Sequence, residues 1–571
     1  MWSPAQPSAC VKKNKPVSLI SFPLTLMISQ SLQVFHMQPA HYLFENAHVF
    51  TANPAQPFAE AVAVRDNRIV FVGSRADAQA YKGPATRLID AGQGSLLPGF
   101  IDSHFHMMYG ALNLDGMQLE PANNYQDISR IVLAYAAEHP QDTWLPGTGL
   151  RYNLGPGNSP LTRQHLDALV ADRPIYINAF DGHTSWANTL ALKMAGIFNG
   201  GQTGPNSENV LDEHGESTGE LREPGAYKPV SDMVPKPGDA RKRTLLHKAL
   251  RLTASLGVTS VHNMDGSDTQ AGIYAALEDL GELTCRIYIP YSVHPGTPVE
   301  ALAKEALAMK KAYSGGMLRA GSVKFFIDGV IEGFTGLLVD PYADDPSTCG
   351  AANYDMDEFN SLVAEADRLG LQVITHAVGD MGVRRVLDAY ENARTINGVR
   401  DARHRVEHIE LIHPQDLPRF KQLGVLASMQ PLHSPMTVDP GDVWPVRVGQ
   451  QRWPLSFAWQ TLREAGATLI FGSDWPVATQ DAMRGLSNAV NRLPWVDGMP
   501  HQRQTLADSL LAYTRDAAYG EFQEHEKGQI SAGYLADLVL LPENIFETAP
   551  ASIAAVRPAL TMADGRVVYE A

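Results

Sequence analysis

The stretch LLPGFIDSHFHMMYG, residues 96–110, ends an apolar run in two histidines one residue apart. Side chains two positions apart on a strand point the same way, so His104 and His106 would share a face. Imidazoles placed like that are either polar residues at a strand end or half of a metal site. Further along, other apolar runs close in the same manner: Lys324 in SVKFFIDG, His376 in ITHAVGD, His408 in VEHIEL and Asp474 in FGSDW. Neutral imidazoles and a carboxylate suit Zn2+ or a similar divalent ion. A carboxylate left partly free beside bound water can also take its proton. Lys324 is the odd member, because an ammonium repels a cation. It belongs to such a set only if neutral, or if CO2 converts it to a carbamate with oxygen ligands. The alternative for it is an ion pair with Asp328.

These residues need elements that bring them together. PGFIDSHFH, GVTSVHNMD, CRIYIPYS, SVKFFIDG, LQVITHAVGD, RHRVEHIEL, GVLASMQP and TLIFGSDW are eight short runs rich in Val, Ile, Leu or Phe. Most precede helix-like segments such as MDEFNSLVAEADRLG, and eight strand–helix units are the count of a closed (β/α)8 TIM-type barrel. In a barrel, the C-terminal strand ends surround one mouth, which is where catalytic groups assemble. The barrel is expected over 98–527, with a large insert after its first strand at about 107–256. That insert should project from the mouth and shape a pocket. Strand-like segments at 37–97 and 528–571, with an Asp564–Gly565 hairpin signal, are each too small for their own core. They are expected to pair into one composite β-sandwich, which makes the whole an α/β protein.

Composition sets the outer limits. Hydrophobic residues make up 44% of the 571 and charged residues 19%, which suits a globular chain with a large core. A net charge of −16 argues against general affinity for nucleic acid or anionic membrane. Cys10, Cys285 and Cys349 form no CxxC pattern, so any metal must be held by His and carboxylates. Residues 1–36 carry Lys12, Lys13 and Lys15 ahead of an interrupted apolar run. They read as an extension before a start at Met37, which gives a cytoplasmic protein; a genuine signal there would make it secreted or periplasmic.

The ordered segments PGFIDSHFH, DGHTSWAN, GVTSVHN, KFFIDG, THAVGD, RVEHIEL, FGSDWPV and KGQISAGYLADLVLL resemble the amidohydrolase superfamily. Within it, the resemblance is to the YtcJ-like branch that includes N-substituted formamide deformylases, and it runs from about Met37 to the C-terminus. It implies one or two divalent metals per chain, with zinc the expected ion. His104 and His106 would bind one metal, and a carboxylated Lys324 would bridge to a second held by His376 and His408. Asp474 would bind the first metal and act as general base, then general acid. The resemblance also brings His183 and Trp186 to the substrate pocket.

Several other residues bear on the site. Gln430 and His433 would touch the leaving group or stabilise a loop. Asp102 would orient an imidazole or accept backbone hydrogen bonds. Glu407, one position before His408, should point away from the site and be structural. His262, at the end of the second strand, is placed to touch the site, although the family pattern does not require it. The expected reaction is hydrolysis of a C–N bond in an amide, formamide or cyclic amide of a small molecule by metal-activated water. An esterase or lactonase with the same site, or a non-catalytic regulatory or ligand-binding member of the family, are the alternatives. A homo-oligomer is compatible with all three.

Overall fold

Eight parallel strands form the central sheet of the computed structural model, which describes residues 38–204, 206–438 and 442–571. They are, in sequence and in space, Phe100–Phe105, Val258–Asn263, Arg286–Ser292, Leu318–Phe326, Gln372–Ala377, Arg405–His408, Leu426–Met429 and Thr468–Phe471. Each apolar run read from the sequence supplies one of them. The ring is drawn shut between the last strand and the first, where Asp474 N donates to His104 O at 2.7 Å and His106 N to Trp475 O at 2.9 Å. The architecture is a TIM-type barrel.

The helices outside follow from amphipathic spacing. Met356–Arg368 buries Phe359, Leu362, Val363 and Ala366, one face at helical period. Asp355 caps it by accepting from Asp357 N and Glu358 N, and Gly370, at φ +70°, turns the chain out of it.

Two further sheets come from the chain ends. Tyr42–Glu45, Ala61–Arg65, Arg68–Gly73 and Arg87–Asp90 make a four-stranded sheet. A six-stranded sheet joins His48–Phe50 and Ser95–Pro98 to Leu538–Leu540, Leu560–Ala563 and Arg566–Glu570, with Leu538 opposite Pro98 and Leu540 opposite Leu96. Phe44, Val62 and Ile69 from the first sheet and Leu96, Leu538 and Met562 from the second are buried together. Arg286, at the base of the third barrel strand, ties this region down by donating to Asp537 at 2.7 Å and Asp564 at 2.8 Å.

A six-stranded sheet of its own follows the first barrel strand, including Leu145–Leu150, Ile175–Ala179, Thr184–Ala187 and Ser217–Arg222. Both faces are covered: Ile175, Ile177 and Trp186 pack on one side, Tyr176, Ala187 and Leu221 on the other. The expected limits of 107–256 take in too much. The helix Asp239–Ser255 packs Leu245, Leu246, Ala249 and Leu250 into the barrel core, and Met107 and Ala111 of Met107–Asn113 do the same. The segment 1–36 lies outside the described residues. Among the described residues, no helix is long and apolar enough to cross a membrane.

Candidate metal centre

The strand ends deliver five of the six expected donors to one point. His104 Nε2 lies 3.4 Å and His106 Nε2 3.2 Å from Asp474 Oδ1, and His408 Nδ1 3.9 Å from Asp474 Oδ2. The His408 ring centroid is 4.6 Å from that of His104 and 4.4 Å from that of His376. One ligand atom each from His104, His408 and Asp474 falls within 4.8 Å of the others, a spacing that fits a single ion.

Each imidazole has its far side committed. His104 Nδ1 donates to Glu407 Oε2 at 2.6 Å, and His106 Nδ1 to Asp265 Oδ1 at 2.9 Å. His376 Nε2 donates to Gly329 O at 3.0 Å, and His408 Nδ1 to Gln430 Oε1 at 3.0 Å. A ring that donates from one nitrogen offers a lone pair on the other, which is how metal-binding histidines are oriented. On the near side, His408 Nε2, Asp474 Oδ1 and Lys324 Nζ are buried with no hydrogen-bond partner among the described residues. Orphaned donors and acceptors at one place are costly unless something else satisfies them. The set therefore fits a divalent metal.

Electrostatics agree. Burial, with the neighbouring Lys324 and histidine rings, holds His104, His376 and His408 well below the usual imidazole range, so they stand neutral as ligands must. Burial also opposes charge on His106, but Asp265 and Asp474 outweigh it and raise that ring to about 9. His106 thus carries a proton where a cation would replace it. Burial pulls Lys324 down to about 8 against the pull of Glu407 and Asp474. The expected alternative of a Lys324–Asp328 ion pair is not formed: Asp328 accepts the backbone N–H groups of Leu337, Val378 and Gly379. Two of the donors sit in the left-handed region, His408 at φ +72° and Asp474 at φ +60°. Such backbone strain in non-glycine residues concentrates at functional sites.

A family model described as "Amidohydrolase family" matches residues 87–569. The chain belongs to the amidohydrolase family. Protein LONG AFTER FAR-RED 3 of Arabidopsis thaliana is 29% identical over 527 residues, 89% of this chain and 88% of its own. A putative amidohydrolase, YtcJ, of Bacillus subtilis is 28% identical over 92% of this chain and 99% of its own, and an N-substituted formamide deformylase of Arthrobacter pascens 24% over 92% and 97%. Among solved structures, an uncharacterized metal-dependent hydrolase from Pyrococcus furiosus matches with a TM-score of 0.67 at 25% identity, covering 89% of this chain and 99% of its own. This amidohydrolase is a YtcJ-like member of its superfamily.

A cavity of about 1050 Å³ opens above the centre, lined on the barrel side by His104, His106, His376, His408 and Asp474. On the insert side it meets His183, Glu223, Tyr176 and Tyr227, and Tyr109 of the helix Met107–Asn113 also lines it. His183 lies with its ring 5.2 Å from that of His376, and its Nδ1 donates to Glu223 Oε2 at 3.0 Å. Despite burial, Glu223 and Asp181 raise it to about 9.

Three expected positions turn out differently. Trp186 does not reach the cavity. It pairs with Ile177, so strand alternation turns it into the insert core against Tyr152, while Tyr176 on the other face lines the cavity. Gln430 and His433 lie behind the centre rather than on the cavity wall. Gln430 holds His408, and His433 stacks on the His408 ring with Nε2 3.8 Å from Asp474 Oδ2. Asp102 takes the backbone role, accepting from His104 N at 3.2 Å and Ser473 N at 2.9 Å. Glu407 was expected to face away and instead grips His104. Asp265, a further partner that no sequence motif marks, lies two residues beyond Asn263 at the end of the second barrel strand.

Proposed function

We propose that this amidohydrolase hydrolyses a C–N bond of a small amide, formamide or cyclic amide at a zinc centre. The observation that carries the reading is the commitment of all four imidazoles to outer acceptors, with unpartnered atoms of His408, Asp474 and Lys324 facing inward. His104, His106 and Asp474 would hold one ion. Lys324, as a carbamate, would share it with a second held by His376 and His408. Divalent ions there would supply Lewis acidity toward a carbonyl oxygen and make water easier to deprotonate.

The chain's own residues do the rest. Asp474, whose Oδ1 lies 3.2 Å from His106 Nε2 and which lines the cavity, accepts a proton from the attacking water and returns it to the leaving nitrogen. His183, fixed from behind by Glu223, hydrogen-bonds the substrate carbonyl across the cavity. Tyr109, Tyr176 and Tyr227 form the wall that receives the substituent on the amide. We also read the two end sheets as a composite β-sandwich whose role is to brace the barrel base.

The test is elemental analysis of protein purified without added metal, followed by a panel of N-acyl and N-formyl compounds with matched esters. Bound zinc and faster turnover of amides are expected, with His104→Ala and His376→Ala losing activity and binding metal more weakly. Activity unchanged after chelation would overturn the reading, and preference for esters would change the bond.

A further inference from the structure

The interior of a (β/α)8 barrel is ordinarily filled by branched apolar side chains. Here the layer beneath the metal centre is ionic. Arg405 and Glu407, two apart on the sixth strand, both face inward, as do Ser260 and His262 on the second. Arg405, fully buried, grips Glu407 with two parallel bonds, Nε to Oε1 at 2.8 Å and Nη2 to Oε2 at 3.1 Å. Nη2 is shared with Ser103 O at 2.5 Å and Ser428 Oγ at 3.0 Å, and Nη1 donates to His262 Nδ1 at 2.8 Å. His262 Nε2 in turn lies 3.2 Å from Glu521 Oε1, and Glu521 pairs with Lys527 at 2.5 Å. Lys527 donates to Ser260 Oγ, which returns the chain of contacts to the second strand. Every member from His104 to Lys527 is at most 3% exposed.

Burying such pairs costs desolvation that their attraction rarely recovers in full, so a barrel held only for stability would favour apolar filling. The chain of contacts meets a metal-ligand side chain at the 2.6 Å bond between His104 Nδ1 and Glu407 Oε2, beside the backbone contact of Arg405 with Ser103 O. We propose that Glu407 is a positioning residue for the metal centre, and that Arg405, braced by His262 and the Glu521–Lys527 pair, holds it in place. The clamp fixes which nitrogen of His104 carries the proton and aims Nε2 at Asp474. Through it, the segment that leaves the barrel for the C-terminal strands is linked to a metal ligand. This rests on the metal-centre reading above.

The test uses the full chain stripped of metal and a Zn2+ titration against a chromophoric chelator, so no substrate is needed. Glu407→Gln should weaken Zn2+ binding about 10–100-fold. In a His104→Ala background the same change should produce no further loss, which a merely structural role would not reproduce. Glu407→Gln leaves Arg405 without its counter-charge and can compromise folding. Glu407→Asp keeps the charge but withdraws the carboxylate from His104, and it should show the same weakening. His262→Leu, at the far end of Arg405, should lower affinity less. Wild-type affinity in both Glu407 variants overturns the proposal while leaving the metal centre standing. A greater loss from His262→Leu than from Glu407→Gln overturns the route through Glu407. Wild-type protein that binds no Zn2+ overturns the metal centre itself, and the positioning role with it.

Discussion

The two sides of the cavity hold their histidines by different means. On the barrel side, His376 and His408 leave neighbouring strands whose ladder fixes their spacing, His104 leaves the first strand, and each is anchored within the barrel. On the insert side, His183 is held by Glu223, 40 residues further along, and by Asp181, which accepts from its backbone N–H at 2.9 Å. Glu223 itself sits at φ +63° and also takes a hydrogen bond from Thr335 Oγ1, which belongs to a barrel loop. The barrel side thus inherits its geometry from a repeating ladder, whereas the insert side assembles it from single contacts between distant segments. In such an arrangement chemistry can stay fixed while the wall changes, which is the division of labour that lets one fold serve many specificities.

The strongest test of that division is Asp474→Asn. It removes the proposed proton acceptor while leaving the shape of the site, and turnover should fall by about 10²–10⁴-fold. Rates and zinc content measured on the same preparation check it. A variant that keeps its turnover would take Asp474 out of the chemistry, and the contrast between the two sides would lose its chemical half.

Next in size is Trp186→Ala. With Trp186 in the insert core, the loss should be about 3–5 kcal/mol of insert stability, read as protease cleavage within 114–238 and a lower unfolding midpoint. Zinc bound per folded chain should be unchanged. Loss of zinc in step with the insert would show that the two sides are one cooperative unit.

The same contrast explains what could be read from the sequence. The eight barrel strands were legible because each is a short apolar run, and their donors because a barrel gathers C-terminal strand ends at one mouth. Glu407 was misread because alternation was carried through His408. At φ +72° that residue has already left extended geometry, so neighbours in sequence both face inward. Trp186 was expected in the pocket from the resemblance alone, and its four-residue strand, Thr184–Ala187, is too short for its own pattern to declare a face. Asp265 and Glu223 act across chain separations of 159 and 40 residues, and nothing local announces such contacts. The helix Asp239–Ser255 looked like insert because sequence order places it before the second strand, while its leucines pack on the barrel.

The smallest effect sharpens the comparison most. Tyr152 donates its hydroxyl to Asp181 Oδ2 at 2.7 Å and lies 2.8 Å from Thr184 Oγ1. Asp181 is a mostly buried carboxylate that burial pushes above its ordinary range, and its other oxygen holds the His183 backbone. Tyr152→Phe takes one donor from that carboxylate without opening a cavity. The cost should be about 1 kcal/mol, the low end for an acceptor left unpaired, because Asp181 borders the cavity and water can reach it. Denaturant midpoints resolve a difference of that size. Zinc affinity should stay at the wild-type value, while KM for the panel's best amide should rise as His183 loses its fixed support. An altered zinc affinity with unaltered KM would reverse the assignment, making the insert a support for the metal and the barrel wall the reader of substrate.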